Sequence, residues 1–160
     1  MDGVIYSARV ESVVYFRFIG VIRYSQCAGL ETYINQLFSE ADFTDIAIDL
    51  ENAEMLDSTA LGLLARISIE YKKISQKKPV IFLHNGELAQ ILKRVCFDQV
   101  FNIVSKPKSE FDMEFVELAP ISASDEKTLE CVVAAHKNLA ELSSSNAHYF
   151  TDITKAVGLG

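Results

Sequence analysis

The sequence predicts an α/β fold, a mixed β-sheet with α-helices packed on it, followed by a helical C-terminal extension. Two N-terminal stretches, 4–10 and 13–19, alternate apolar and polar residues, and the short link Glu11-Ser12 predicts an antiparallel hairpin. Short apolar runs then alternate with segments of helical periodicity, as expected of strands joined by packed helices. The chain becomes polar and linker-like at 105–109. We therefore expect a domain over residues 1–118 and an extension over 119–160.

The prediction centres on residues 45–75. The apolar run 46–50 predicts a short buried strand, and Asp57 and Ser58 both offer good N-cap side chains for the helix that follows. Because Ser58 is expected at the mouth of this helix, its hydroxyl should lie near solvent. The apolar residues of the helix recur along one stripe, the pattern of a face packed on a core: Ala60, Leu63, Leu64, Ile67, Tyr71 and Ile74.

The remaining elements follow from local signals. Gly20 is expected to end the second strand, and 21–26 to form a loop before the first helix. Pro79 suits the first position of a strand over 80–83, since a ladder donor is not needed there. Asn85 is predicted to cap the next helix, and 100–104 to form a last strand.

The run DSTALG at 57–62, directly after a hydrophobic strand, resembles the signature of STAS domains, the anti-sigma factor antagonists. The resemblance covers residues 4–104 in the order and type of elements. It implies that Ser58 is the phosphoacceptor of a partner-switching pathway, in which the unmodified antagonist binds an anti-sigma factor and phosphorylation breaks the complex. The implied partners are an anti-sigma factor, in one alternative itself a kinase, together with a Ser/Thr kinase and a phosphatase. STAS domains often carry an acidic residue near position 23; Arg23 reverses that charge and leaves the partner's identity open.

The side of the central helix opposite its core stripe suggests where a partner would lie. At about 100° per residue, the residues on this side have small or apolar side chains, whereas solvated helix faces are usually rich in Lys and Glu. One reading is a shallow docking surface for the anti-sigma factor, rimmed by the loops 23–25 and 85–86. The other is a face covered by the chain's own C-terminal helices. The predicted partner-binding residues are Arg23, Tyr24, Asp57, Ser58, Thr59, Leu61, Gly62, Ala65, Arg66 and Ile69.

Individual roles in this set have alternatives. Ser58 is either a phosphoacceptor or a plain N-cap, worth about 1 kcal/mol. Thr59 is either a second phosphoacceptor or simply part of the helix. Asp57 either positions the Ser58 hydroxyl or is a competing N-cap.

Composition excludes several other functions. A net charge of −7 argues against a general nucleic-acid binder, because phosphate backbones require clustered Lys and Arg. Neither a membrane-spanning apolar run nor a secretory signal is present, so we expect a cytoplasmic protein. The resemblance to anti-sigma factor antagonists implies a bacterial one. The three cysteines and three histidines lack metal-ligand spacing, and free buried thiols are expected. Without a phosphate-binding loop or a convincing Ser–His–Asp order, neither a cofactor nor enzymatic activity is predicted.

The C-terminal segment has three alternatives. A helix is predicted to begin at Ser122 or Ser124, with His136 on an otherwise apolar stripe, and a last turn carries Tyr149 to Gly158. This segment either packs on its own domain, forms a homodimer with a second copy, or provides a second partner surface.

Two other functions also remain open: a STAS subunit without phosphorylation in a lipid-transport or stress-sensing assembly, and a sensor of a nucleotide or lipid beside Ser58.

Overall fold

The computed structural model describes residues 3–84, 86–105, 113–118 and 123–148. It opens with the predicted antiparallel hairpin, strands β1 (Val4–Val10) and β2 (Val13–Ile22), which pair Val4 with Ile19 and Val10 with Val13. The prediction that Gly20 ends the second strand is wrong. Gly20 has a positive φ of 78° at an irregularity in the pairing, which glycine accommodates without strain, and β2 continues to Ile22.

The sheet is mixed, as predicted, because the antiparallel hairpin is extended by parallel strands. Two short strands were not predicted: β4 pairs in parallel with the end of β2, and β7 pairs antiparallel with β1. Along the main path the order is β6-β5-β3-β2-β1-β7. The later strands are β3 (Asp45–Asp49), β4 (Ala53–Leu56), β5 (Val80–Phe82), β6 (Asn102–Val104) and β7 (Val116–Glu117).

Five α-helices and one 3₁₀ turn (Tyr24–Gln26) lie within the described residues. Successive parallel strands are added in one direction across the sheet, so right-handed crossovers place the connecting helices on the same face. The predicted last strand over 100–104 is too long, because a helical turn occupies Phe97–Val100 and the strand begins at Asn102. The predicted cap Asn85 lies outside the described residues. The helices are α1 (Cys27–Glu40), α2 (Ser58–Ile74), α3 (Glu87–Arg94), α4 (Phe97–Val100) and α5 (Asp125–Leu142).

The hydrophobic core lies between the sheet and these helices. Alternate residues of β2, including Phe16 and Phe18, are fully buried, which explains the alternation seen in the sequence. The predicted stripe of α2 is buried except for Ile74, which is 49 % exposed at the helix end. Cys27 and Cys131 are buried free thiols, as expected, whereas Cys96 is only partly buried.

Helix α5 packs against α2 and contributes to the same core through Cys131 and Leu139. Ser124 is its N-cap, because the Ser124 side chain accepts a hydrogen bond from Lys127 N at 3.1 Å. Beyond its C-terminus, Asn146 Nδ2 donates to the Val95 carbonyl at 2.8 Å. Of the three alternatives for this segment, its described part packs on its own domain. The division at 118 and a homodimer stay predictions, and the predicted last turn at 149–158 lies outside the described residues.

Candidate functional site

The candidate site is built where strand β4 passes into helix α2. Asp57, the residue between them, is the N-cap, and its Oδ1 accepts a hydrogen bond from Ala60 N at 2.9 Å. Its Oδ2 accepts a second one from Tyr24 N at 2.6 Å, which ties the 3₁₀ turn to the helix. Asp57 therefore fixes both the start of α2 and the position of the turn beside it.

Ser58 is the first residue of α2 and is half-buried. Its Oγ shares a hydrogen bond of 2.8 Å with Nε2 of His136 on α5. In the tautomer that carries its proton on Nδ1, the imidazole accepts the hydroxyl proton. Ser58 is thus not the N-cap, and its hydroxyl is held by a residue 78 positions later in the chain.

His136 is buried and its environment favours the neutral ring. Burial lowers the pKa of His136 below its usual 6.5, because desolvation penalises the imidazolium, while the nearby Asp57 carboxylate acts in the opposite direction. A neutral imidazole can accept a hydrogen bond from a hydroxyl, whereas an imidazolium cannot. The pair therefore holds Ser58 as a hydrogen-bonded hydroxyl at neutral pH.

An open cleft of about 520 Å³ lies next to Ser58. Its lining comes from three elements, the 3₁₀ turn, the start of α2 and the part of α5 from Asp125 to His136. Tyr24, 53 % exposed, and Leu129, 40 % exposed, are its most exposed apolar residues. The lining residues are Tyr24, Asp57, Ser58, Thr59, Asp125, Thr128, Leu129, Val132 and His136.

Of the two readings of the outer side of α2, the docking surface is wrong for its middle part. Gly62 and Ala65 are buried, and α5 passes so close that a Cβ on Gly62 would lie 2.2 Å from the Ala135 carbonyl oxygen. Farther along, Ile69 is half-buried beside Glu141 and Leu142. The second reading of this face, that the chain's own C-terminal helix covers it, is the one observed.

The other predicted site residues separate into two groups. Tyr24 is exposed and lines the cleft, whereas Arg23, the exposed residue before it, is not among the lining residues. Thr59 and Leu61, only 3 % and 5 % exposed, are directed into the structure, and Arg66 is half-buried. Gly86 of the predicted rim is exposed but lines a different depression, with Glu51 and His84.

Sequence reasoning missed the contribution of α5 to the site. Asp125, Thr128, Leu129, Val132 and His136 line the cleft, yet the sequence placed them in a separate extension. Two signals were present: a single histidine on an apolar stripe, and small residues on the outer side of α2 that allow a second helix to approach closely. Among the described residues, no group of three His, Cys, Asp or Glu could hold a metal ion.

Together these features define an α/β domain with a hydroxyl held at a strand-to-helix junction beside an open cleft. The family model of the STAS domain matches residues 6–109, more than half of the chain. The chain therefore belongs to the STAS domain family. The matched range ends before α5 begins.

Two solved structures share the fold. The anti-sigma factor antagonist SpoIIAA in its unphosphorylated form aligns with 79 % of this chain and 96 % of its own, at 12 % identity and a TM-score of 0.51. An anti-sigma factor antagonist from Mycobacterium paratuberculosis aligns with 82 % and 94 % of the two chains, at 16 % identity and a TM-score of 0.53. At these identities the likeness concerns the fold. A comparison with curated protein sequences found no match. No helix in the described part of the chain is long and apolar enough to cross a bilayer.

Proposed function

We propose that this protein is a bacterial, cytoplasmic and non-enzymatic anti-sigma factor antagonist that is switched by phosphorylation of Ser58. Unmodified protein binds the anti-sigma factor, and the phosphorylated protein does not. This chain is neither the kinase nor the phosphatase. In one alternative the anti-sigma factor is itself the kinase. Family membership and the fold shared with two antagonists support this role. The observation that carries it is the Ser58 hydroxyl beside an open cleft at the first position of α2.

The position of Ser58 suits a switch that changes binding and spares the fold. A phosphoryl group adds about −1.5 to −2 charges at pH 7, and a helix N-terminus tolerates negative charge because of its free N–H groups and dipole. In a complex the same group would be buried against the partner beside the Asp57 carboxylate. Desolvation and like-charge repulsion would then oppose binding, and a loss of 3 kcal/mol lowers affinity about a hundredfold.

The distance of 2.8 Å between Ser58 Oγ and His136 Nε2 leaves no room for a phosphorus atom between them. The phosphorus atom of a phosphorylated Ser58 must therefore lie off the line to His136, and the open cleft offers space for it. The cleft is large enough for the group, so the modification fills the volume that a partner would use.

Affinity capture from bacterial cytosol tests the proposal. Wild type and Ser58→Ala should retain one anti-sigma factor, identified by mass spectrometry, and Ser58→Asp should lose it while circular dichroism remains native. Ser12→Asp is a matched control, because Ser12 is an exposed serine in the hairpin turn, at the opposite end of β2 from Ser58. Equal capture by the Ala and Asp baits would refute the switch. If both also retained one large complex, a passive STAS subunit would be favoured.

The cleft itself favours a second candidate function, a sensor of a small ligand such as a nucleotide or a lipid. A volume of about 520 Å³ falls within the range of small-molecule sites. A bound ligand raises the melting temperature, because it stabilises the folded state by RT ln(1 + L/Kd), where L is the free ligand concentration. Stabilisation by nucleotides or by lipids that is absent in Leu129→Asp would support a sensor over a protein-binding switch.

A further inference from the structure

Helix α5 is built into the domain at the place where a partner would otherwise contact α2. Gly62 lacks a side chain at the closest approach, where even a methyl group would meet the backbone of Ala135. Ala135 is fully buried, and Cys131 and Leu139 on the same helix belong to the main core. Because glycine inside a helix is unfavourable, its presence here is explained by α5. The middle of α2 therefore belongs to an internal contact.

What remains accessible around Ser58 is the cleft between the 3₁₀ turn and the first half of α5. Its walls present two exposed apolar side chains, Tyr24 on the turn and Leu129 on α5, with the half-buried Val132 beside Leu129. Single exposed apolar residues are ordinary on protein surfaces. Here they come from segments a hundred positions apart and line the same cleft as Ser58. Such convergence is typical of a pocket that receives an anchoring side chain.

The charged side chains that line the cleft have one sign, although the exposed Arg23 directly precedes the lining residue Tyr24. The lining includes the carboxylates of Asp57 and Asp125 and neither lysine nor arginine, while burial keeps His136 neutral. Asp57 is already hydrogen-bonded to two backbone N–H groups, whereas Asp125 lies exposed in the first turn of α5. The lining therefore suits an apolar side chain in its interior and a positive charge at the Asp125 rim.

From this juxtaposition we propose that the first half of α5 forms one wall of the anti-sigma factor binding surface. The partner inserts an apolar side chain between Tyr24 and Leu129, above Ser58, and places a lysine or arginine at Asp125. This inference rests on the proposed function and adds to it residues that lie beyond the matched STAS range. It also gives the switch a physical cause. A phosphoryl group on Ser58 would lie beneath the apolar anchor, where removing a dianion from water opposes binding more than an exposed rim charge favours it.

The test measures the affinity of full-length variants for the purified anti-sigma factor captured by the Ser58→Ala bait. Leu129→Asp places a carboxylate where the apolar anchor packs and should weaken binding at least about tenfold, as expected for a central apolar contact. Ala134→Asp is the matched control, because it adds the same charge at an exposed position of the same helix outside the cleft. It should bind like wild type.

A second pair of variants tests the rim charge. Asp125→Asn should lower the association rate about two- to fivefold at low salt and reduce its salt dependence, since rim charges act mainly on association. Glu126→Gln, in the same first turn but outside the cleft lining, should have a smaller effect. Circular dichroism and melting curves must show that all four variants are folded.

The outcomes separate this inference from the proposed function. Unchanged affinity of Leu129→Asp, together with lost binding by Ser58→Asp, overturns only the role of α5. Equal weakening by Leu129→Asp and Ala134→Asp also overturns it, because the effect would then be one of general charge. If Ser58→Asp loses no anti-sigma factor at all, both proposals fail.

Discussion

The substitution Gly62→Ala adds one methyl group on the side of α2 that faces α5. In an exposed helix interior, alanine is more favourable than glycine by about 1 kcal/mol. In this structure, however, the added Cβ would lie 2.2 Å from the Ala135 carbonyl oxygen and 2.5 Å from both its carbonyl carbon and its Cβ. Two of these atoms belong to the backbone, so a change of rotamer cannot relieve the contact. To restore van der Waals separation, α5 must move by about 1 Å.

The two effects have opposite signs, and their magnitudes decide the result. Overpacking a close contact costs about 1–3 kcal/mol, with rigid backbone contacts toward the upper end. After subtraction of the gain in helix propensity, we expect Gly62→Ala to lower the free energy of unfolding by about 1–2 kcal/mol. Urea unfolding followed by circular dichroism measures this as a lower midpoint with an unchanged m-value.

Gly86→Ala provides the matched control. A Cβ at Gly86 would meet no atom within 4 Å and its backbone is extended, so alanine there costs only the weaker capping of α3, whose N-cap is Gly86. We expect a loss of at most about 0.5–1 kcal/mol, smaller than that of Gly62→Ala. An increase in the stability of Gly62→Ala by about 1 kcal/mol would show that α2 is open to solvent at this point. The covering of α2 by α5, and the cleft argument built on it, would then be refuted.

Three further predictions concern the site and its surroundings. Burial lowers the pKa of His136, so below pH 6.5 the unfolded chain binds a proton that the folded chain excludes. The free energy of unfolding should therefore fall as the pH drops below 6.5. Urea midpoints measured from pH 7.5 to 5.5 should fall more steeply for wild type than for His136→Gln. Asp57→Ala removes the N-cap of α2 and the contact with Tyr24 N, and should lower the free energy of unfolding by about 1–2 kcal/mol. Asp57→Asn, whose single amide oxygen can keep the cap bond to Ala60 N but not also the bond to Tyr24 N, should lose less. Burial, reinforced by the hydrogen bond with Glu31, raises the pKa of the Cys131 thiol to about 12. Because the thiolate is the reactive form, iodoacetamide at pH 8 should alkylate Cys131 at least about a hundredfold more slowly in the folded protein than in urea. Peptide mapping measures the alkylation of Cys131.

Each of these three has a clear contrary result. Parallel pH profiles for wild type and His136→Gln would mean that the imidazole is not shielded from protonation. Equal stability of Asp57→Ala and Asp57→Asn would mean that the cap hydrogen bond to Ala60 N does not stabilise α2. Rapid alkylation of folded Cys131 would mean that α5 leaves the core readily.

The fold was predictable to the extent that each element buries a periodic apolar pattern. The alternation in 13–19 is the buried face of β2, and the stripe of α2 covers the sheet as expected. The strands that the sequence did not predict are those whose pairing depends on a strand distant in the sequence. Strand β4 exists because 53–56 lies beside the end of β2, and β7 consists of two residues held by β1. Local propensity contains no signal for such short strands, because the partner strand supplies their hydrogen bonds.

By itself, the sequence determined that Ser58 stands at the start of a helix with an apolar stripe. Those features depend on neighbours within a few positions: a capping carboxylate at Asp57 and apolar residues spaced three and four apart. Only the tertiary structure decided what faces the hydroxyl. The bond to His136 joins residues 78 positions apart, and the covering of Gly62 depends on how two helices pack, which the periodicity of either one leaves open. An amphipathic pattern specifies which side of a helix avoids water, and the assembled fold selects the element that covers it.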